Sequence, residues 1–281
     1  EPGNMNRLYV VEPSPSNAGA CADHRLALAD GDVELFVREI AFRLGIPVEG
    51  GNAFGSDDFV DALVEDLRDA GSSALVIAGA NQSQVVHALA HEINARLGSL
   101  GTTVRMIESV EPEPMIQADS IRDLIDDLEA NDVDSLLMLG GNPVHTVPAG
   151  LRFVEAMQKA TMRVHLSDRF DETSRLCHWH IPRAHDLEAW SDARAFDGTV
   201  TIVQPLIEPL YGGRSVHEVM SVYLGVPGAK SYGIVKDYWK NERGGPAFET
   251  FWQTALHDGY IPDTASPDAR VRTQSLTFDA P

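Results

Sequence analysis

Ser135-Leu136-Leu137-Met138-Leu139-Gly140-Gly141-Asn142-Pro143 is the stretch on which the fold turns. Four consecutive apolar residues bounded by turn residues read as a strand covered on both faces. Gly140 and Gly141 then allow the chain to bend where other residues resist, Asn142 favours a turn, and Pro143 suits the first position of a helix. Beyond the break, Leu151–Lys159 reads as a helix and Met162–Leu166 as another strand. Strand, glycine turn, helix, strand is the grammar of a parallel βαβ unit.

The same grammar extends upstream. Asp119–Ala130 carries Ile121, Leu124, Ile125 and Leu128 at helical spacing, and Ala74–Ala78 reads as a strand leading through Gly79-Ala80-Asn81-Gln82-Ser83 into a helix from Gln84 to Leu97. Leu8–Val11 reads as a buried strand. Asp30–Leu44 is a helix with Val33, Phe36, Val37, Ile40, Ala41 and Leu44 on one face, stopped by Gly45 and Pro47. Ile46–Asp57 is a glycine-rich loop, Asp58–Ala70 a second amphipathic helix and Thr103–Ile107 a third strand. Downstream, Cys177–Ile181 and Thr199–Val203 read as strands and Val216–Tyr223 and Ala247–Leu256 as helices; Trp239 and Trp252 stand in helical context as core residues, and the stretch from Gly259 on is polar. The expected class is α/β, with Rossmann-like parallel sheets flanked by helices. One lobe spans residues 1–110, a second with the Gly-Asn-Pro loop spans 111–225, and a helical or irregular extension spans 226–281.

Composition excludes several function classes. The chain has 281 residues, 43% hydrophobic and 23% charged, which suffices for one large or two modest domains. Its net charge of −20, from 42 acidic and 22 basic residues, opposes binding to nucleic acid or to an anionic membrane surface. It suits a solvated acidic surface or a high-salt setting. No apolar run approaches the roughly 20 residues of a membrane helix. Glu1-Pro2-Gly3-Asn4 lacks the features of a signal peptide, and the start reads as a boundary within a longer polypeptide. The two cysteines, Cys21 and Cys177, cannot form a disulfide framework or ligate an iron–sulfur cluster, and are expected as buried free thiols.

In open α/β sheets, ligands bind beyond the carboxyl ends of the strands. Three turns have suitable chemistry: Gly79–Ser83, Gly140–Pro143 and Ser167-Asp168-Arg169-Phe170. Asn81, Gly140, Gly141, Asn142 and Asp168 are the candidate cofactor-binding residues, with Asp168 able to accept hydrogen bonds from a ribose or a guanine ring. The competing reading of each loop is a tight strand-to-helix turn. No Gly-x-Gly-x-x-Gly fingerprint, phosphate loop or Gly-x-Ser-x-Gly elbow is present. His178, His180 and His185, beside Cys177, invite a metal site at a spacing that matches no common signature. Asp168, Asp171, Glu172, Asp186 and Glu188 form an acidic run suited to acid/base work, or equally to capping helices and pairing with Arg169, Arg175 or Arg183.

Several of these segments, in order, resemble the molybdopterin oxidoreductase superfamily. Leu137–Pro148 resembles its Gly-x-Asn-Pro loop, and Asp168-Arg169-Phe170-Asp171-Glu172-Thr173 its D-x-F-x-E-T segment. His180-Ile181-Pro182, Glu188, Asp197-Gly198-Thr199 and Gln204-Pro205 follow in the family's order, while Val10–Pro13 and Cys21–Leu26 resemble an upstream segment. Gly19–Leu26, Ser174–Trp190, Ile234–Trp239 and Phe248–Gly259 are most similar to the large subunit of alternative complex III, a bacterial quinol-oxidising complex. The resemblance implies a scaffold half of a fused subunit on the periplasmic face of the inner membrane, held there by other subunits of a respiratory complex. Iron–sulfur clusters would lie elsewhere in the parent, and molybdopterin guanine dinucleotide is the cofactor of the family's active members. Cys177–Pro182 and Ala29–Val33 depart from the segments of those active members. These departures and the likeness to alternative complex III imply a degenerate site, no bound cofactor in this region, no catalytic residues and an inactive isolated chain. The alternatives are part of an active molybdopterin guanine dinucleotide enzyme of the polysulfide or formate type, for which the intact Gly140–Pro143 loop speaks, and an unrelated Rossmann-like small-molecule-binding module, against which the missing dinucleotide fingerprint counts.

Overall fold

The computed structural model describes residues 5–269 and 271. The opening Glu1–Asn4, residue 270 and residues 272–281 lie outside the described residues. Two compact units emerge: among the described residues, one comprises residues 5–108 together with Asp268, Ala269 and Val271, the other residues 109–267. Residues 226–267 therefore lie within the second unit.

In the first unit, β1 (Tyr9–Glu12) pairs in parallel with β2 (His24–Ala27) through the short helix α1 (Asn17–Ala20). The crossover is fastened by Glu12, whose carboxylate accepts from the Ser16 backbone N–H at 3.0 Å and from Arg25 Nε at 2.9 Å. Gly19 is required here: a Cβ would fall 1.7 Å from Glu12 Oε1. Three helices complete the unit: α2 (Val33–Arg43), α3 (Asp57–Ala70) and α4 (Gln84–Leu97). Their apolar stripes converge on Phe36, Ile40, Val60, Leu89 and Ile93, all buried. Burial of side chains of this kind contributes about 1.5–3 kcal/mol each. Ser83 caps α4 by accepting from the Val86 N–H, and Gly98, at φ 80°, ends it.

Two expected strands of this unit are absent from its sheet. Ala74–Ala78 joins no strand; its backbone bonds to side chains instead. The carboxamide of buried Asn94 accepts from the Val76 N–H at 2.9 Å and donates to the Val76 carbonyl at 2.7 Å. Ser99 Oγ and Thr103 Oγ1 donate to the Ala74 carbonyl. Thr103–Ile107 forms only isolated bridges, Leu100 to Val104 and Ile107 to Asp268. With the Val76 groups and the Ala74 carbonyl bonded to side chains, and the Val104 and Met106 groups to nearby backbone, neither segment extends the β1–β2 ladder.

The second unit opens with α5 (Gln117–Ala130) and a parallel sheet in the order β3 (Ser135–Leu139), β4 (Met162–Ser167), β5 (Trp179–Pro182). The register runs from Ser135 opposite Met162 to Leu139 opposite Leu166, and from Val164 opposite Trp179 to Ser167 opposite Pro182. The short helices α6 (Pro143–Thr146), α7 (Phe153–Met157) and α8 (Glu172–Arg175) connect the strands. Leu128, Leu136, Met138, Phe153 and Met157 form the core beneath them. An antiparallel sheet follows, with β6 (Ser191–Arg194), β7 (Val200–Val203) and β8 (Tyr260–Ile261) in that order. It is accompanied by α9 (Val216–Tyr223), α10 (Ser231–Arg243) and α11 (Phe248–Asp258). Trp239 and Trp252 are buried with Val235 and Phe248 in this second core, as their helical context indicates. Parallel-strand sheets flanked by helices place the chain in the α/β class.

Both cysteines are free, but Cys21 is exposed, contrary to the expectation of two buried thiols. It directly follows the short α1, whereas Cys177 packs against the second unit's parallel-sheet core, where burial pushes its thiol up. Among the described residues, no helix is long and apolar enough to cross a membrane.

Two predictions follow from the first unit. Replacing Asn94 with leucine leaves the Val76 N–H and C=O without partners and lowers stability by about 2–4 kcal/mol, read by urea denaturation with circular dichroism. A loss below half a kilocalorie contradicts the role given to the carboxamide. The Glu12 carboxyl is held down to about 2 by the Ser16 hydroxyl, Arg25 and the Ser16 backbone N–H. Since its folded value lies below the unfolded one, it stabilises the fold above the ordinary carboxylate range and loses that effect as pH falls toward 2. Glu12→Gln is therefore less stable than the parent at neutral pH, with the difference shrinking between about pH 4.5 and 2; thermal melts across that window measure it.

Candidate functional site

The candidate site is built at the carboxyl ends of β3 and β4, which parallel pairing brings side by side. At the tip of β3 the chain passes through two successive positive-φ residues, Gly140 at 83° and Gly141 at 70°. Side chains with a Cβ resist this conformation, which explains the glycine pair. The Gly140 N–H donates to the Leu166 carbonyl at 2.7 Å, carrying the ladder one step past the strand. A Cβ at Gly140 would meet Arg183 Nη1 at 3.5 Å, whereas Gly141 has open space beside it.

Asn142 is held at both ends of its carboxamide. Its Nδ2 donates to Glu172 Oε2 at 2.7 Å, and its Oδ1 accepts from Thr173 Oγ1 at 2.7 Å. The Thr173 hydroxyl in turn accepts from the Val144 N–H at 3.1 Å. The start of α6 is thereby tied to the start of α8. The Asn142 amide, first among several causes, holds the Glu172 carboxyl below its ordinary value.

Beneath the loop lies a second network. His165, fully buried in β4, places Nε2 3.1 Å from the Gly141 carbonyl and Nδ1 2.9 Å from Ser174 Oγ. A carbonyl only accepts, so Nε2 carries a proton. Ser174 Oγ also lies 3.1 Å from His180 Nδ1 and 3.1 Å from Asp171 Oδ1. Asp171 caps α8 by accepting from the Ser174 N–H at 2.9 Å. Burial works to raise the Asp171 carboxyl, but the Ser174 backbone and hydroxyl bonds, with His165 nearby, outweigh it and hold the group low.

The structure brings Gly140, Gly141, Asn142 and Asp168 to the ends of adjacent strands. Asp168 is exposed and pairs with its neighbour Arg169 at 3.3 Å. Asn81 lies in the first unit, exposed in the turn before α4, where Ser83 donates to Glu34 at 2.8 Å. The histidines near Cys177 do not converge: His178 Nδ1 accepts from the Arg163 N–H, His180 faces Ser174, and His185 Nδ1 accepts from the Leu187 N–H. Among the described residues, no group of three or more His, Cys, Asp or Glu side chains is placed to hold a metal ion. The acidic run does structural work. Asp171 caps, Glu172 holds Asn142, Asp186 pairs with Arg183 at 3.3 Å, and Glu188 accepts from the His185 and Leu210 N–H groups. Sequence reasoning missed His165 and Ser174; a histidine between Val164 and Leu166 of a strand was the available signal, because a buried ring needs partners.

These residues fit a dinucleotide poorly. The amide best placed to meet a base or phosphate is already bonded at both ends. Glu172 and Asp168 set carboxylates beside the loop, and the nearby Arg169 and Arg183 pair with carboxylates of their own. No buried side-chain nitrogen or oxygen lacks a partner among the described residues, so no orphaned group marks a ligand's place.

Thr173→Val keeps the shape of a fully buried residue and removes both of its hydrogen bonds. It lowers stability by about 2–3 kcal/mol, while Thr173→Ser retains most of that stability. Urea denaturation followed by tryptophan fluorescence measures this, because Trp179, Trp190, Trp239 and Trp252 all lie in the second unit. Equal losses in the two variants would show that packing rather than the hydroxyl matters.

No protein-family model matches the chain, and no curated protein matches it. Among solved structures it is similar to acetylene hydratase from Pelobacter acetylenicus, a molybdopterin enzyme. The TM-score is 0.53 at 12% identity, over 78% of this chain and 43% of that one. The chain thus spans less than half the length of that protein. At this identity the likeness concerns the fold alone, an α/β fold that the chain shares with part of that protein.

Proposed function

We propose that this chain is a region of a molybdopterin-oxidoreductase-like subunit serving a membrane-bound, quinol-oxidising respiratory complex of the alternative complex III type. It acts there as a scaffold and docking surface for other subunits, on the periplasmic face of the bacterial inner membrane. The observation that carries the scaffold reading is the doubly bonded Asn142 carboxamide. The loop keeps the outline of a nucleotide site, yet its polar groups serve the protein's own helices. The order of the family-like segments from Val10 to Pro205 supports the superfamily, and the likeness of Gly19–Leu26, Ser174–Trp190, Ile234–Trp239 and Phe248–Gly259 supports the respiratory assignment. With only two cysteines, this region leaves any cysteine-ligated cluster to the rest of the parent.

One observation favours a second reading, an active molybdopterin guanine dinucleotide enzyme of the polysulfide or formate type. Gly141 is exposed, with open space beside it, so backbone is accessible where a ligand would approach. The residues that would face a dinucleotide are then Gly140, Gly141, Asn142 and Asp168.

Metal analysis of the purified chain, combined with a fluorescence scan for oxidised pterin, separates the readings. The scaffold reading expects no stoichiometric molybdenum, iron or pterin, and no rise in melting temperature with guanine nucleotides, which would stabilise the fold by mass action if bound. Stoichiometric pterin would establish the enzyme reading. The tagged parent, isolated from membranes in detergent, is expected to co-purify with quinol-oxidising activity; its recovery solely as a soluble monomer overturns the respiratory part.

A further inference from the structure

A cavity of about 360 Å3 lies in the second unit, away from the strand tips, where β6 and β7 face α9 and α10. This volume falls within the range of small-ligand sites, about 300–1,000 Å3. Its floor is apolar, with Val200 from β7 and Val235 and Trp239 from α10. Two opposite charges stand on its wall. Asp192 and Arg194 are two residues apart on β6, so they share a face with Cα atoms about 6.5–7 Å apart. One Asp192 oxygen accepts from Trp239 Nε1 at 2.8 Å, and the other has no protein partner among the described residues. Arg194 Nη1 donates to the Gly198 carbonyl at 3.0 Å, and the guanidinium pairs with no carboxylate among the described residues. This contrasts with the strand tips, where Arg169 and Arg183 both have acidic partners.

We propose that this cavity binds a small zwitterion of the α-amino-acid class with an apolar side chain, its ammonium on Asp192 and its carboxylate on Arg194. The two charges of such a molecule, each with a charge-assisted hydrogen bond of about 2.8 Å, span roughly 8–9 Å. A short and a long side chain two residues apart on one strand face can bracket that span. The apolar side chain lies over Val200, Val235 and the Trp239 ring. His217, fixed by a 3.0 Å contact between Nε2 and Ser191 Oγ, closes one side. The site shares no residue with the strand-tip loop, so it stands or falls apart from the proposed scaffold role.

Titration of the full chain with L-leucine and L-phenylalanine, followed by tryptophan fluorescence and calorimetry, tests the proposal. Saturable binding is expected, because Trp239 lines the cavity. It is lost with N-acetyl-L-phenylalanine, which lacks the ammonium, and with L-phenylalaninamide, which lacks the carboxylate. Asp192→Asn keeps an acceptor for Trp239, and Arg194→Gln alters an exposed side chain. Each weakens binding by about tenfold or more, the scale set by losing a charged hydrogen-bond partner. Absence of binding at millimolar amino acid overturns the proposal. So does binding that the blocked derivatives reproduce, a result obtained without any variant.

Discussion

Two neighbouring parallel strands end at the same edge of a sheet, and the chain leaving each must turn without leaving polar backbone stranded. In the second unit the Asn142 carboxamide meets this constraint. It grips Glu172 and Thr173 while Thr173 secures the Val144 N–H, so α6 and α8 are set by one side chain. The two glycines before it make the bend possible, and His165 beneath holds the Gly141 carbonyl. Neither helix is long enough to be stable alone: each has four residues, and isolated helices need roughly three times that length. Their geometry therefore depends on this set of hydrogen bonds, and so does the exposure of Gly141 and Asp168.

The first unit meets a similar need with a different device. Ala74–Ala78 has the apolar content of a strand, but Asn94 and the hydroxyls of Ser99 and Thr103 take the places of backbone partners. A carboxamide offers one donor and one acceptor in the spacing of a peptide group, so it can bond one residue of an extended segment on both counts. In both units, an asparagine, buried in one and half-buried in the other, does work usually left to the backbone.

What was legible in the sequence follows from the range of the forces involved. β3 could be read because four apolar residues in a row between turns are a local signal, β4 because Met162, Val164 and Leu166 alternate with polar residues, and Gly140–Pro143 because turn chemistry is local. The helices with broad apolar faces, such as Val33–Arg43 and Asp57–Ala70, were readable for the same reason. Sheet membership is not local: Ala74–Ala78 has strand composition, and only distant Asn94 explains why it pairs with no strand. β2, His24-Arg25-Leu26-Ala27, has too little apolar pattern to announce itself. α10 buries Ser231, Val235 and Trp239 at a spacing of four, but Gly233 and its charged residues obscure the stripe. At the site, Asn142 and Asp168 were legible, while the partners of Asn142, Glu172 and Thr173, lie about thirty residues downstream, and no local pattern ties them to it.

Charge balance ties the strand tips to the rest of the molecule. A net charge of −20 does not spread evenly over function: it leaves cations scarce, 22 basic residues against 42 acidic ones. Arg43 alone engages Glu39, Asp57 and Asp61. A dinucleotide brings at least two phosphate charges and needs cations that are not already neutralised. At the strand tips Arg169 and Arg183 are committed and carboxylates stand nearby, so the field there opposes a phosphate even where glycine leaves room for one. Beside β6 the opposite holds: Asp192 and Arg194 stand close together, and neither charge has an oppositely charged partner among the described residues. The two places therefore differ in charge rather than in space: paired at the strand tips, unpaired beside β6.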